Sequence, residues 1–381
     1  MKVINTEKHP IKMWLDDAED GAIAQMKNVA NLPFVFKHIS VMPDTHQGYG
    51  MPIGGVCATN GYIVPNMVGV DIGCGMHILT TGMKIDFDKD YLKQIMGKIR
   101  EAIPVGFEHQ KENVQWSGFD HAPDIEIIQQ QLNSSRKQLG TLGGGNHFIE
   151  LQKDKDNYLY VMIHSGSRNF GLKIANVYHK KALELCEKWN SFLPDKELAY
   201  LPYESSEAQE YMKAMNFALG FAQQNRGEMM SKIIGILNPD PETYTEYDIH
   251  HNYAAWENHF GQNVIVHRKG ATSAKLGQIG IIPGSQGTKS YIVRGLGNPE
   301  SFQSCSHGAG RKMGRKQASR ELNLEDEKKI LDDQGIIHGI RNVGDLDEAA
   351  GAYKDISKVM ENQKDLVEII TELSPIGVIK G

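Results

Sequence analysis

The sequence predicts an α+β protein in which short strands alternate with glycine-rich loops and a helical segment is inserted among them. Three observations predict this. Short apolar runs bounded by Gly and Pro recur over 31–80, 147–164 and 262–295, long amphipathic stretches fill 175–237, and no fixed-period repeat or low-complexity tract interrupts the chain. In order, PFVFKHISVMP, GGVCAT, GYIVP and MHILTT read as strands and loops, and 89–103 and 122–139 then read as helices. Strand chemistry returns in HFIELQ from His147 and YLYVMIH ending at His164. The segment 175–237 is the expected helical insertion, its second half opened by a Ser-Ser candidate N-cap. NVIVHRKG, GQIGIIPG and SYIVRG resume the strands, YKDISKVMENQKDLVEIITEL is expected to form a closing helix, and SPIGVIKG a short tail. Residues 1–381 are thus expected to form one domain containing the insertion at 175–237.

Composition narrows the function classes. A chain of 381 residues with 40% hydrophobic and 23% charged content buries a real core without needing disulfides or structural metals. Cys57, Cys74, Cys186 and Cys305 are scattered with no CxxC pair, which argues against a zinc ribbon or a disulfide framework and fits reduced thiols. No run of 18 apolar residues occurs, and MKVINTEKHPIKMW lacks the apolar core of a signal peptide, so a cytoplasmic protein is expected. A net charge of −6 speaks against non-specific coating of nucleic acid. The segment from His267 to Arg320 nevertheless carries +9 against −15 elsewhere, enough for one face to hold a polyanion.

Several of the fifteen histidines stand where a strand meets a glycine-rich turn: GGGN-His147, MI-His164-SGSR and S-His307-GAGR. Rigid scaffolds present chemistry on such loops. In VDIGCGM, Asp71 and Cys74 lie three residues apart in a turn. A hard carboxylate beside a soft thiolate suits a divalent ion, or two ions sharing one donor; a turn-capping Asp beside a buried thiol is the alternative. With histidines available, Asp71, Cys74, His147, His164 and His251 form a mixed O, S and N donor set of the kind that holds Mn²⁺ or Zn²⁺, leaving His250 either to support the ligands from behind or to join the core. The loop IPGSQGTKS at 282–290 has phosphate-cradle chemistry but fails the P-loop template, because Thr288 separates Gly287 from Lys289. Neither K-x-D-G nor H-E-x-x-H occurs, so a lysine-nucleophile ligase and a zincin protease are both excluded. His307, flanked by small residues and followed by Arg311 and Lys312, is the candidate nucleophile toward phosphorus.

In order along the chain, MPDTHQGYGMPIGG, VGVDIGCGM, GGGNHFIE, HSGSRNFG, HHNYA, IPGSQGTKSYIVRG, SCSHGAGR and the terminal VIKG together resemble the RtcB family of GTP-dependent RNA ligases. The resemblance implies an α+β fold with antiparallel or mixed sheets and a helical insertion, peculiar to that family. It implies an enzyme using two Mn²⁺ ions and GTP to join RNA ends bearing a 3′-phosphate or 2′,3′-cyclic phosphate to 5′-hydroxyl ends. His307 matches the residue that becomes linked to GMP, and Asp71, Cys74, His147, His164 and His251 match the metal ligands. The guanylate contacts match Asn146, His147, Phe148, Ile149 and Glu150, then His251 and Asn252, then Pro283, Gly284, Ser285, Gln286 and Ser290, then His307, Gly308, Ala309 and Gly310, and finally Lys380. Gln286 departs from the family loop, which more often reads Gly-Ser-Met-Gly. Arg168, Arg311, Lys312, Arg315 and Lys316 are candidates for RNA phosphates, while Asp44 and His46 look suited to active-site support without an individual role assigned to either. A metal-dependent RNA cyclic phosphodiesterase or phosphatase, and a non-catalytic RNA-binding paralogue, are the competing readings.

Overall fold

The computed structural model describes residues 1–84 and 88–381. The chain opens with β1 (Lys2–Ile4), β2 (Ile11–Met13), α1 (Asp20–Ala30), β3 (Val35–Tyr49), β4 (Met51–Thr59), β5 (Tyr62–Ile63), α2 (Pro65–Val68) and β6 (Gly75–Lys84). Next come α3 (Lys89–Ala102), α4 (Glu126–Gln138), β7 (Phe148–Lys153), β8 (Tyr158–Ser165), α5 (Asn169–Lys188), β9 (Leu201–Pro202) and α6 (Ser206–Leu237). It continues through β10 (Thr245–His250), β11 (Asn252–His259), β12 (Gln262–Lys269), β13 (Ala271–Ser273), β14 (Ile279–Ile282), β15 (Ser290–Gly295) and β16 (Ser304–Ser306). The last elements are α7 (Arg315–Glu321), α8 (Leu324–Asp333), α9 (Ile356–Asn362) and β17 (Val367–Lys380).

Two sheets organise the molecule, one in the order β1-β2-β3-β4-β12-β11 and one in the order β10-β6-β8-β7-β17-β15-β14. The first is mixed, because β2 runs parallel to β3; the pairings of the second are antiparallel. The α+β class and the insertion are therefore present. The insertion's first helix starts at Asn169, six residues earlier than the sequence pattern places it. Ser205 caps α6 as expected, its hydroxyl accepting the Ala208 N–H at 3.2 Å. Between α5 and α6 the chain also contributes β9, which pairs with β5.

The closing helix is the main correction. Only Ile356–Asn362 is helical, and Val367–Lys380, including the expected tail, is a strand. The first half of β17 pairs with β15 and the second half with β7, so it joins two parts of one sheet. Consecutive Ile369, Ile370 and Thr371 favour an extended chain. Pro375 is accommodated where the register shifts between Pro375 and Gly377, so the missing N–H breaks no regular ladder.

Helices cover one face of the second sheet. Leu92, Ile95, Met96 and Ile99 of α3, with Met229, Met230, Ile233 and Leu237 of α6, share a buried cluster with Leu79, Leu151, Val161, Ile163 and Ile379 of the strands. Each such side chain contributes about 1.5–3 kcal/mol on burial. Ile163 is fully buried, whereas Ile369 of β17 is 44% exposed. Ile163→Ala should therefore lower unfolding free energy by about 2–5 kcal/mol, while Ile369→Ala should cost under about 1 kcal/mol. Equal urea midpoints for the two variants would contradict this arrangement of the core.

Candidate active site

The register of four neighbouring strands builds the site. Met76 stands opposite His164, Gly75 opposite both Ser165 and His250, and Phe148 opposite His164. Cys74, His147, His164 and His251 lie at or just beyond these positions, so all four are delivered to the same end of β6, β7, β8 and β10. Cys74 Sγ lies 3.2 Å from His164 Nε2 and 3.6 Å from His147 Nε2. His147 Nε2 is 3.2 Å from Asp71 Oδ2, and His164 Nε2 is 3.4 Å from His251 Nε2. Gly166 permits the carboxylate's approach, since a Cβ there would lie 2.4 Å from Asp71 Oδ1.

The donors are oriented for a cation. His147 Nδ1–H donates to the Leu142 carbonyl at 3.0 Å and His164 Nδ1–H to the Asn146 carbonyl at 3.1 Å, which leaves both Nε2 lone pairs facing the thiol. Burial, reinforced by His147, holds His164 well below the ordinary histidine value; burial and His307 do the same for His251. Both are therefore neutral donors. Burial and the Asp71 carboxylate push the Cys74 thiol well up, a tendency that a bound cation reverses by stabilising the thiolate. The ligand atoms form two triads, Asp71-Cys74-His147 and Cys74-His164-His251, each within 4.8 Å and sharing Cys74. Neutral imidazole lone pairs converging on one point repel unless a cation lies between them, so the residues present fit a divalent metal.

His307 stands beside this cluster, its ring centroid 4.8 Å from that of His251. The Asp44 carboxylate, fully buried on β3, accepts His307 Nδ1–H at 2.6 Å and the backbone N–H groups of His307 and Gly308 at 3.0 and 3.3 Å. Burial alone would raise the Asp44 carboxyl, but His307 and these donors hold it below the usual carboxylate range. One tautomer results, with Nε2 left as the free nitrogen. The turn needs Gly310, whose φ is +74° and whose Cβ would lie 2.1 Å from the Asp44 carbonyl oxygen. Asp44, which the sequence left without a role, is thus the group that orients His307. His46 has its Nδ1 3.0 Å from the Asp44 carbonyl oxygen.

A cleft of about 810 Å³ opens over His307. Of the nucleotide-contact candidates, Asn146, Phe148, Pro283, Gly284, His307, Gly308, Ala309 and Gly310 line it, together with His164. Gln286 and Lys380 line a second cavity of about 700 Å³, and the Lys380 ammonium sits 5.6 Å from the Phe148 ring centre. Ser285 Oγ lies 3.0 Å from Thr288 Oγ1, closing its own loop. Ser290 Oγ accepts from Gln152 Nε2 and from the Gly284 N–H, so it holds the loop from behind. Ile149 instead packs in the cluster beneath the sheet. Asn252 spans the Asp71 carbonyl and the Gly270 N–H. Gln286 Nε2 donates to the Glu348 carbonyl, while its own Oε1 is buried without a partner.

The basic segment does not form one free face. Arg268 is fully buried against Glu257, Lys289 pairs with Glu372 and Arg294 with Glu368. Arg311 and Arg315 both reach Glu348, a residue the sequence reading passed over because nothing local marks it. Glu257 is eleven residues from Arg268, but the other acids lie 33 or more positions from their partners, which a local charge count cannot see. Arg311, Lys312 and Arg315 still line the cleft, whereas Lys316 is exposed at the start of α7. Arg168 is turned inward, donating to Thr141 Oγ1 and the Gly106 carbonyl, with a backbone at φ +58° and ψ −147° that is costly for any side chain but glycine.

The family model described as "tRNA-splicing ligase RtcB" matches residues 25–381. The chain belongs to the RtcB family. The "RNA-splicing ligase RtcB" of Escherichia coli (strain K12) is 40% identical to it over 408 aligned residues, covering 100% of this chain and 99% of the relative. The "tRNA-splicing ligase RtcB" proteins of Nanoarchaeum equitans and Thermococcus kodakarensis are 33% and 31% identical, each covering 98% of this chain and 95% of the relative. Among the described residues, no helix is long and apolar enough to cross a membrane.

Glu150, among the contacts that resemblance to the RtcB family implies, titrates unusually. Burial outweighs the Gln152 amide and Lys380 and raises its carboxyl to about 7. A folded-state value above the unfolded one means that the protonated form favours the fold. This stabilisation is complete below the reference value of 4.5 and is lost as pH rises through about 7. Glu150→Gln should accordingly flatten the fall in unfolding free energy across that window. A wild-type slope in the variant would show that Glu150 is ionised throughout.

Proposed function

We propose that this protein is an RNA ligase that uses GTP and Mn²⁺ to join a 3′-phosphate or 2′,3′-cyclic phosphate RNA end to a 5′-hydroxyl end, through a histidine-linked GMP. The observation that carries the reading is the Asp44–His307 pair set against the donor cluster at the floor of one cleft. An Asp-held imidazole with a free Nε2 serves a hydrolase as general base as well as a ligase as nucleophile, so the choice of the ligase rests on the RtcB relatives. The names of the RtcB relatives support a ligase acting on RNA.

In this reading His307 Nε2 attacks the α-phosphorus of GTP. A nitrogen–phosphorus bond forms as the bond to the pyrophosphate oxygen breaks, and Asp44 stabilises the positive charge that develops on the ring. An oxygen of the RNA 3′-phosphate then takes the GMP from Nε2 and returns the imidazole to its neutral form. The 5′-hydroxyl oxygen next attacks the RNA phosphorus, and GMP leaves with the bridging oxygen. A cyclic phosphate must first be opened by water to a 3′-phosphate. Asp71, Cys74, His147, His164 and His251 would hold two Mn²⁺ ions, with Cys74 shared. The chemistry Mn²⁺ supplies is Lewis-acid stabilisation of charge on phosphate oxygens. Arg311, Lys312 and Arg315 offer further positive charge along the cleft, and their RNA contacts should weaken as salt is raised.

His307→Ala should bind GTP and Mn²⁺ yet form no GMP adduct, while still sealing RNA already carrying a 3′-diphosphate-guanosine end. Labelling of this variant by GTP would overturn the mechanism. Asp44→Asn keeps the shape but loses the charge, and guanylylation should fall by about 10²-fold or more. Cys74→Ala should lower the amount of Mn²⁺ bound per chain and abolish guanylylation with its circular dichroism spectrum unchanged. Full Mn²⁺ occupancy in that variant would remove Cys74 from the site.

A further inference from the structure

The helical insertion contributes none of the five donors, yet two adjacent residues of α6 are fully buried where the donor-bearing strand ends meet. Asn225 and Arg226 are both 0% exposed, and α6 packs on β6 and β8. An arginine without access to water must find partners for every N–H it carries, because an uncompensated buried charge costs several kcal/mol. Arg226 finds them in the segments that carry the donors. Its Nη1 donates to the Gly73 and Ser165 carbonyls, both at 2.9 Å. Gly73 lies between Asp71 and Cys74, and Ser165 follows His164. The other side of the guanidinium forks onto Asp248 at 2.6 and 2.7 Å, and Nη2 lies 3.2 Å from Nδ1 of His250, the residue before His251. Asp248 and His250 are part of β10 and lead directly into His251.

Asn225 holds the remaining segment. Its Oδ1 accepts the Gly140 and Thr141 N–H groups at 2.7 and 3.1 Å. Its Nδ2 donates to the Thr141 carbonyl at 3.1 Å and to Ser165 Oγ and the Gly166 carbonyl at 3.2 Å. Ser165 Oγ donates in turn to the Leu142 carbonyl at 2.7 Å, the same oxygen that accepts His147 Nδ1–H. One side-chain pair on one rigid helix therefore reaches the segment of Asp71 and Cys74, that of His147, that of His164 and that of His251.

We propose that Asn225 and Arg226 are positioning residues for the metal centre, fixing the spacing of the four donor-bearing segments and thereby the affinity for divalent cations. This rests on the reading of the donor cluster as a two-cation site. The α6 helix is a single continuous element, so it adds a side-chain restraint on segments whose other restraint is the strand ladder that ends beside them. Outer contacts of this kind typically change metal affinity by about 10–100-fold when removed.

The test is calorimetric titration of Mn²⁺ into the full chain without GTP, with thermal unfolding in chelator recorded for each variant. Arg226→Lys keeps the charge and loses the fork; Asn225→Ser loses the amide and serves alone if Arg226→Lys does not fold. Arg268→Lys is the control. It disrupts an equally buried arginine fork, on Glu257, that holds Ser304, the Phe302 carbonyl and the Tyr253 hydroxyl and bonds to no backbone group in the turns that flank the donors. The expected result is a Mn²⁺ dissociation constant raised by about 10–100-fold in the α6 variants. Guanylylation should return as Mn²⁺ is raised, and the control should keep wild-type affinity whatever its unfolding temperature. Wild-type Mn²⁺ affinity in the α6 variants, or an equal loss in Arg268→Lys, would overturn the proposal by showing a role in the fold alone. Wild-type protein that takes up no Mn²⁺ would instead sink the two-cation reading itself.

Discussion

Five donor groups held within a few ångströms of one another, with the ring protons of His147 and His164 directed away, are the constraint on which the site depends. Lone pairs that face each other in a buried place repel, and the fold must hold them there against that repulsion and against the loss of water. It does so by placing Cys74, His147, His164 and His251 at strand ends, where a hydrogen-bonded ladder fixes the backbone on one side of each residue. Backbone carbonyls of the glycine-rich loops take up the Nδ1 protons of His147 and His164. The glycines are consequences of crowding: the Asp71 carboxylate leaves no room for a Cβ at Gly166, and the Asp44 backbone leaves none at Gly310.

His251 joins the two halves of the chemistry. It stands between β10 of one sheet and β11 of the other, its N–H bonded to the Cys74 carbonyl and its own carbonyl to the Ala271 N–H. Ala271 begins β13, which pairs with β16 through Ala271 and Ser306, and His307 follows directly. A short chain of backbone bonds therefore sets the distance between the donor cluster and the free nitrogen of His307. Asp44 fixes the ring's rotation from the other sheet. The reactive geometry needs both sheets in place, which is why residues more than 200 positions apart in sequence meet at hydrogen-bonding distance.

Electrostatics in the cleft follow the same logic of distant partners. Glu348 gathers Arg311, Arg315 and the Tyr353 hydroxyl. Burial works against its charge, but Lys380 and Arg311 hold its carboxyl below the ordinary value. Two cations that a linear reading would assign to RNA are thereby partly neutralised while remaining on the cleft wall.

By itself, the sequence determined the fold class, the extents of α3, β7, β8 and α6 to within a few residues, and the donor and nucleophile candidates. Those signals are local: residue periodicity, a capping serine, and chemistry-bearing side chains beside glycines. It misplaced β17, because an amphipathic helix and a β-branched strand look alike over DLVEIITEL until the vacant edges of β15 and β7 are known. It left Asp44 unassigned and passed over Asn225, Arg226 and Glu348, since a buried polar residue has no local mark and its meaning lies in partners far along the chain. Only the tertiary structure decided that four of the donors meet at one end of four neighbouring strands with Asp71 in the turn beside them, that His307 is held in one tautomer, and that most of the basic segment is already paired. Sheet register and burial set each of these, and both are properties of the whole chain rather than of any stretch of it.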